Sequence, residues 1–337
     1  MQVFKEIDPL WYFISSALVG LVNFISIGFS MLSDVLPPHY RAPSFGLLVS
    51  AFYLGYCIGP SFCLVMNHLS VSLLSLAIFL LGLLYACLFL PETLPGQVAS
   101  RNLSERTTNL QDRRKALLRP IREMSILNRD SFFRLLTVAY FFSGMVFSSD
   151  RSLLLFYIED QLNVRDGDLA RMFFIMGLVG VVIQGFLLEL LLTCLGEKRL
   201  LMVSFLSGTF HNLLYGLAKS KVTIYVALCL SQLTRANFPL ISSIASNHVS
   251  ENEQGRMQGA LFALSALANA IGPLLLEVIY DHTKDGQGLG PGTMFVFASL
   301  LYFVGTIIVS VISRDKANGS SPIVSDDNEL EEPLLRE

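Results

Sequence analysis

The sequence predicts an all-α membrane protein with nine transmembrane helices, and three observations carry that prediction. Of 337 residues, 53% are hydrophobic and 15% charged, with mean hydropathy +0.56, a balance that would leave a water-soluble domain covered in exposed hydrocarbon. The apolar residues gather into nine runs close to the ~20 residues a helix needs to cross the hydrocarbon core. The charges fall between those runs, where they report topology and give no footing for a nucleic-acid partner.

The first run, Leu10 to Met31, follows Lys5, Glu6 and Asp8 without a small-residue cleavage site, which predicts a retained span and not a signal peptide. Ser44 to Val65 and Val71 to Leu90 follow, closing a first unit over residues 1–91. Residues 92–134 form a polar linker with nine basic residues, placed in the cytoplasm because cytoplasmic loops carry the excess of Lys and Arg. Six runs make a second unit over residues 135–313: Leu135 to Ile158, Met172 to Cys194, Leu200 to Ala218, Val222 to Ala245, Met257 to Tyr280 and Met294 to Ile312. Alternation from the linker puts 16 basic residues on the cytoplasmic side and six on the other, with Lys219 and Lys221 against the rule. The N-terminus is then outside, and the tail from 314 to 337 is cytoplasmic.

Sequons at Asn102 and Asn318 fall on the cytoplasmic side and are expected to stay unmodified. The tail segment SDDNELEEPLLRE resembles an acidic dileucine sorting signal, but Leu330 stands four residues before Leu334 where an acid belongs. Sorting adaptors and a merely polar tail both remain open. Cys57, Cys63, Cys87, Cys194 and Cys229 all lie in apolar runs without metal-ligand spacing and are expected to be packing residues.

An internal repeat organises the chain. RAPSFGLLVSAFYLGYCIGP from Arg41 to Pro60 matches QGRMQGALFALSALANAIGP from Gln254 to Pro273, at an offset of 213 residues. Gly46 matches Gly259, Gly59-Pro60 matches Gly272-Pro273, Ala268 replaces Gly55, and Ser33 matches Ser246. The offset implies two halves of six helices, the first lacking three helices at its front, and parallel halves of six describe the major facilitator fold.

Gly46, Gly55, Gly59 and Pro60 spell G-x8-G-x3-G-P, which resembles the fifth-helix antiporter signature of drug:proton major facilitators; Cys63 and Leu64 replace the glycine pair that continues it. DPLWYF at Asp8, LPETLP at Leu90, SENEQG at Ser250 and PGTMFVF at Pro291 resemble the hippocampus abundant transcript-like branch, relatives of tetracycline exporters. LGEKR at Leu195 keeps the basic part of the family's charged loop motif without its aspartate. The resemblance implies an N-terminally truncated major facilitator fold and a secondary transporter of small solutes, on endomembranes or the plasma membrane.

Charges inside spans are costly and usually face a cavity or a partner. Arg235 sits 13 residues into its span, about 20 Å along the axis, between Gln232 and Asn237. It is the leading substrate-pathway candidate, the alternative being a snorkelling or structurally paired arginine. Asp150 and Arg151 are further candidates; they point about 100° apart, and Asp150 suits a proton-carrying carboxylate unless the helix unwinds there. Glu189 and Glu277 lie near span ends and read as interfacial. Gln184, His211, Asn212 and Asn269 add polarity within spans, His211 either as a packed hydrogen-bonded ring or as a relay, and Asn269 as a partner for backbone freed by Pro273. Gly46, Gly55, Gly59, Pro60, Gly259, Gly272 and Pro273 are expected to be packing and bending sites.

The expected partners are the lipid bilayer, a small-molecule solute and protons as the coupling ion. No cofactor or metal is expected, and the absence of H-E-x-x-H, G-x-S-x-G and P-loop motifs argues against an enzyme or an ATP-driven pump. The competing reading is a non-transporting, truncated transporter-like membrane protein.

Overall fold

A computed structural model describes residues 10, 11, 14, 18, 24–90, 124–286 and 289–315. The sequons at Asn102 and Asn318, most of the linker and the acidic tail lie outside the described residues. The helices are α1 (Phe24–Val35), α2 (Pro38–Val65), α3 (His68–Phe89), α4 (Ser131–Leu162), α5 (Asp166–Val181), α6 (Leu188–Leu195), α7 (Glu197–Gly216), α8 (Lys221–Thr234), α9 (Asn237–Ser246), α10 (Gln254–Thr283) and α11 (Thr293–Asp315). A π-helical segment, Val182–Leu187, joins α5 to α6 without a break in the rod.

Among the described residues the predicted runs are helical apart from their ends and a turn at Arg235-Ala236, and several helices overrun the apolar stretches because polar residues cap them. Asp130 accepts from the Phe133 N–H at 2.9 Å and starts α4 four residues before the apolar run, and Ser220 starts α8 in the same way. Among the described residues, six helical segments are long and apolar enough to cross a membrane by length and composition. Two others fall short for physical reasons: α7 carries a polar face of Ser204, Ser207, His211 and Asn212, and the run Val222 to Ala245 is not one rod.

That last point corrects the sequence reading. Pro239 has no N–H to give the Arg235 carbonyl, so the helix stops at Thr234, turns at Arg235-Ala236 and restarts as α9. Two cysteines also depart from expectation: Cys87 and Cys194 are exposed.

Contacts between the two copies of the repeat are reciprocal, as a pseudo-twofold axis requires. The first-copy helix α1 packs on α10, and its counterpart α9 packs on α2. At the α1–α2 junction Arg41 donates to the Ser33 carbonyl at 3.0 Å and the Leu36 carbonyl at 3.2 Å. At the α9–α10 junction Gln254 donates to the equivalent carbonyls of Ser246 and Val249 at 2.9 and 3.5 Å. Phe29 stacks on Phe45 with centroids 4.3 Å apart, while the matching positions, Ser242 and Gln258, meet through a hydrogen bond of 3.3 Å.

Around this seam α2 lies along α5, α4 packs between α10 and α11, and α7 packs on α8 and α11. Helix α3 packs on α2 and shows its apolar side chains outward from Ser75 to Leu90, which suits lipid as the solvent.

The glycine motif divides in two. A Cβ on Gly46 would stand 2.9 Å from the Gln184 carbonyl oxygen, and one on Gly272 would stand 2.8 Å from Met145 Cα, so these two glycines seal helix crossings. Gly55, Gly59 and Gly259 face no described neighbour within 4 Å. Pro60 and Pro273 sit inside α2 and α10.

Candidate functional site: a charged cavity at the broken helix

A cavity of about 260 Å³ lies among α2, α4, α5, α7, α11 and the α8–α9 break. The break ends α8 inside the protein, where its last carbonyls need donors. Gln184 donates to the Gln232 carbonyl at 3.3 Å, and Ser204 to those of Leu233 and Thr234 at 2.8 and 3.2 Å. The polar face of α7 and the π segment thus cap an interrupted helix, and the interruption turns Arg235 into the cavity.

The Arg235 guanidinium is held by aromatic faces. Its carbon lies 4.9 Å from the Phe147 ring centroid and 5.7 Å from that of Tyr53, and Nη2 lies 3.6 Å from Met176 Sδ. No carboxylate pairs with it among the described residues, and its buried Nε donates to nothing. Tyr53 reaches this position because α2 and α5 approach closely at Gly177, where a Cβ would stand 2.7 Å from the Tyr53 carbonyl oxygen. Arg235 therefore neither snorkels nor sits in a structural ion pair. It is a positive charge with spare hydrogen-bonding capacity on a cavity wall.

Asp150 and Arg151 separate as their helical phase predicts, and α4 runs on unbroken through both to Leu162. Asp150 turns inward, with Oδ2 3.1 Å from His211 Nε2 and 3.4 Å from Asn212 Nδ2. Arg151 is exposed and stands at the cavity rim. His211 is 1% exposed, and its Nδ1 lies 3.1 Å from the Ser207 carbonyl and 3.2 Å from Thr234 Oγ1.

The structure therefore brings Arg235, Asp150, Arg151 and His211 to one cavity, with Asn212 behind Asp150. It leaves Gln184 and Asn269 off the wall. Gln184 caps α8, and Asn269 is exposed on α10 with its carbonyl accepting from Ser148 Oγ at 3.1 Å. Sequence reasoning missed Tyr53, Phe147, Thr234 and Tyr302, aromatic or neutral residues with no mark of a site along the chain. Pro239 was the one available signal for the break.

Comparison with known proteins gives three findings. A profile of the Major Facilitator Superfamily matches residues 4–273. The hippocampus abundant transcript-like protein 1 of Bos taurus is 21% identical over 93% of this chain, and the chain spans 66% of that relative's length. Two solved structures share the fold: the human organic anion transporter MFSD10 (TETRAN), with TM-score 0.69 and 23% identity over 85% of this chain and 67% of that one, and the E. coli fucose:proton symporter FucP, with TM-score 0.59 and 14% identity over 85% and 72%.

Proposed function

The chain belongs to the major facilitator superfamily, and from that premise we propose that it serves in secondary active transport of a small organic anion by alternating access, coupled to protons. The observation that carries this reading is Arg235, a cation without a carboxylate partner among the described residues, set on a cavity wall between the Phe147 and Tyr53 rings. Such a wall attracts a flat carboxylate: the guanidinium takes the charge and the rings take the apolar body. The fold likeness to an organic anion transporter and to a proton symporter supports the same direction.

In this reading the reciprocal contacts at the repeat seam are the surfaces that rock. Nine spans in two units, 1–91 and 135–313, cross the bilayer, with the linker 92–134 and the tail 314–337 in the cytoplasm. The cavity then lies toward the outer ends of the helices, and the Arg41 junction closes the cytoplasmic side. The same reading places the protein in an endomembrane or the plasma membrane.

Uptake of radiolabelled organic anions into proteoliposomes tests the proposal. Wild-type protein is expected to accumulate a carboxylate, and Arg235→Ala to abolish accumulation while remaining folded. Unchanged uptake by an active Arg235→Ala protein would remove Arg235 from the pathway.

A second reading, a non-transporting membrane protein, draws on Gly59 and Gly259, which face no described neighbour although their repeat mates Gly272 and Gly46 seal helix crossings. Failure of the purified chain to move any solute would favour it.

A further inference from the structure

We propose that Ser125 is a phosphorylation site for a serine kinase that reads basic residues, and that Arg256 of α10 is the receptor for the phosphate it gains. The receptor stands on geometry alone. The site's use in a cell rests on the proposed cytoplasmic placement of the linker 92–134, where such a kinase meets ATP.

Ser125 stands where the linker reaches the helices. A short 3-10 turn, Met124–Asn128, packs on α10 and α4. Its Ile126 and Leu127 are buried, and the Leu127 carbonyl accepts from Thr137 Oγ1 of α4 at 3.2 Å. Ser125 is exposed, so its hydroxyl lies on the open side of an anchored turn. Across from it, Arg256 Nη2 donates to Ser125 Oγ at 3.1 Å.

The same guanidinium has a second arm. Arg256 Nη1 lies 3.7 Å from Glu253 Oε1, and Arg129, just past the turn, bonds to that same oxygen. Two guanidiniums therefore share one carboxylate oxygen beside a serine hydroxyl. A phosphate on Oγ brings three strong acceptors and about two negative charges to this place. Arg256 already aims a donor at Oγ, and its planar fork matches two phosphate oxygens at once. Arg129 keeps Glu253 paired while Arg256 turns to the phosphate. The new bond ties the linker to α10 two residues from Gln254, the junction residue of the second repeat copy.

The chain supplies the recognition side. Arg122, outside the described residues, precedes Ser125 by three positions, a charge pattern that a kinase with an acidic cleft selects. The same spacing recurs at Arg41 and Ser44, Arg101 and Ser104, and Arg134 and Thr137, so spacing alone does not choose among them. Ser44 and Thr137 are half-buried within α2 and α4, whose long ladders would have to unwind into a kinase cleft, and Ser104 lies outside the described residues. A five-residue turn opens locally at far lower cost. In the transfer, Ser125 Oγ bonds to the γ-phosphorus of ATP as the bridge to the β-phosphate breaks. ADP leaves, and the hydroxyl proton passes to the base of the kinase.

The full chain purified in detergent, where both faces are accessible, is incubated with ATP and the catalytic subunit of cAMP-dependent protein kinase. Tandem mass spectrometry is expected to place a phosphate on Ser125, and an unmodified Ser125 overturns the site. Phosphorus-31 NMR then follows the second ionisation of that phosphate, its resonance identified by its loss in Ser125→Ala. An isolated phosphoserine titrates at about 6. Held by Arg256, the phosphate is expected to titrate at least about one unit lower, because a close guanidinium favours the dianion, and Arg256→Gln should return it to about 6. Equal values in the two proteins overturn the receptor. Sealed microsomes carrying the full chain, with kinase and ATP added outside, test the topology separately. Phosphate on Ser125 there supports the cytoplasmic linker. Phosphate in detergent alone overturns that placement and with it the cellular site, while the NMR shift still decides the receptor.

Discussion

Arg41 and Gln254, 213 positions apart, occupy the same place in the two copies of the repeat and share one acceptor: Arg41 Nη1 lies 3.1 Å, and Gln254 Nε2 2.9 Å, from the Ser246 carbonyl oxygen. Each also reaches back into its own junction. Arg41 adds a contact of 3.2 Å to Asn247 Oδ1, so the first copy grips the second where α9 ends. The longer, charged side chain does what Gln254 cannot, since it serves both copies at once. Arg41 is 6% exposed, and its hydrogen bonds to backbone and amide oxygens compensate the cost of burying its charge.

Replacing Arg41 with alanine is expected to cost about 3 kcal/mol, the range for losing charge-assisted hydrogen bonds and stranding their buried acceptors. Arg41→Gln copies its repeat mate, should keep the junction within the first copy, and should lose roughly half as much. Thermal unfolding midpoints in detergent rank the two. Wild-type stability of Arg41→Gln would show that the bonds to Ser246 and Asn247 contribute nothing.

Pro239→Ala restores a donor for the Arg235 carbonyl and allows α8 to run into α9. Removing an interior proline that breaks a helix is worth up to about 3 kcal/mol of helix stability. The expected outcome is unchanged or greater thermal stability with a loss of anion uptake, because Arg235 no longer turns into the cavity. Wild-type uptake by the variant would mean that the break does not position Arg235.

The repeat glycines should respond in opposite ways. Gly272→Val and Gly46→Val drive side-chain atoms into the backbone of α4 and of the π segment, and overpacking of this kind costs about 1–3 kcal/mol. Gly59→Val and Gly259→Val meet no described neighbour within 4 Å and should be tolerated. Monodispersity on size-exclusion chromatography reads the difference. Equal damage at Gly59 and Gly272 would reveal a partner packed on Gly59.

Outside the membrane, the Arg129 guanidinium bonded to Glu253 holds that carboxyl below its ordinary range. A depressed acid contributes stability above its unfolded value and loses it as pH falls through its folded one. The stability difference between wild type and Arg129→Ala is therefore expected to be present at neutral pH and to fade on acidification below the carboxylate range. A difference that grows on acidification would reverse the sign and sink the assignment.

Hydropathy made the helices legible because, in a lipid solvent, span length and side-chain polarity are nearly the whole constraint. Span edges were less visible: α4 begins at Ser131 and ends at Leu162, beyond the run from Leu135 to Ile158, because Asp130 caps it and an amphipathic end tolerates polar residues. Arg235 and Asp150 were found through cost, since charge within a span needs a reason to be there. Their aromatic and neutral neighbours carried no such mark, and the glycines sorted into sealed and open only once their neighbours were known.

The amino-acid order alone established a lipid-solvated helical chain with a repeated junction, and it marked the charges that must face something other than lipid. Which groups those charges face was set by the packing. Pro239 interrupts a helix, Gln184 and Ser204 satisfy its end, Gly177 lets Tyr53 approach Arg235, and α7 carries His211 to Asp150. Those pairings join residues far apart in the chain, where spacing holds no information about distance, and they exist only when the helices pack against one another.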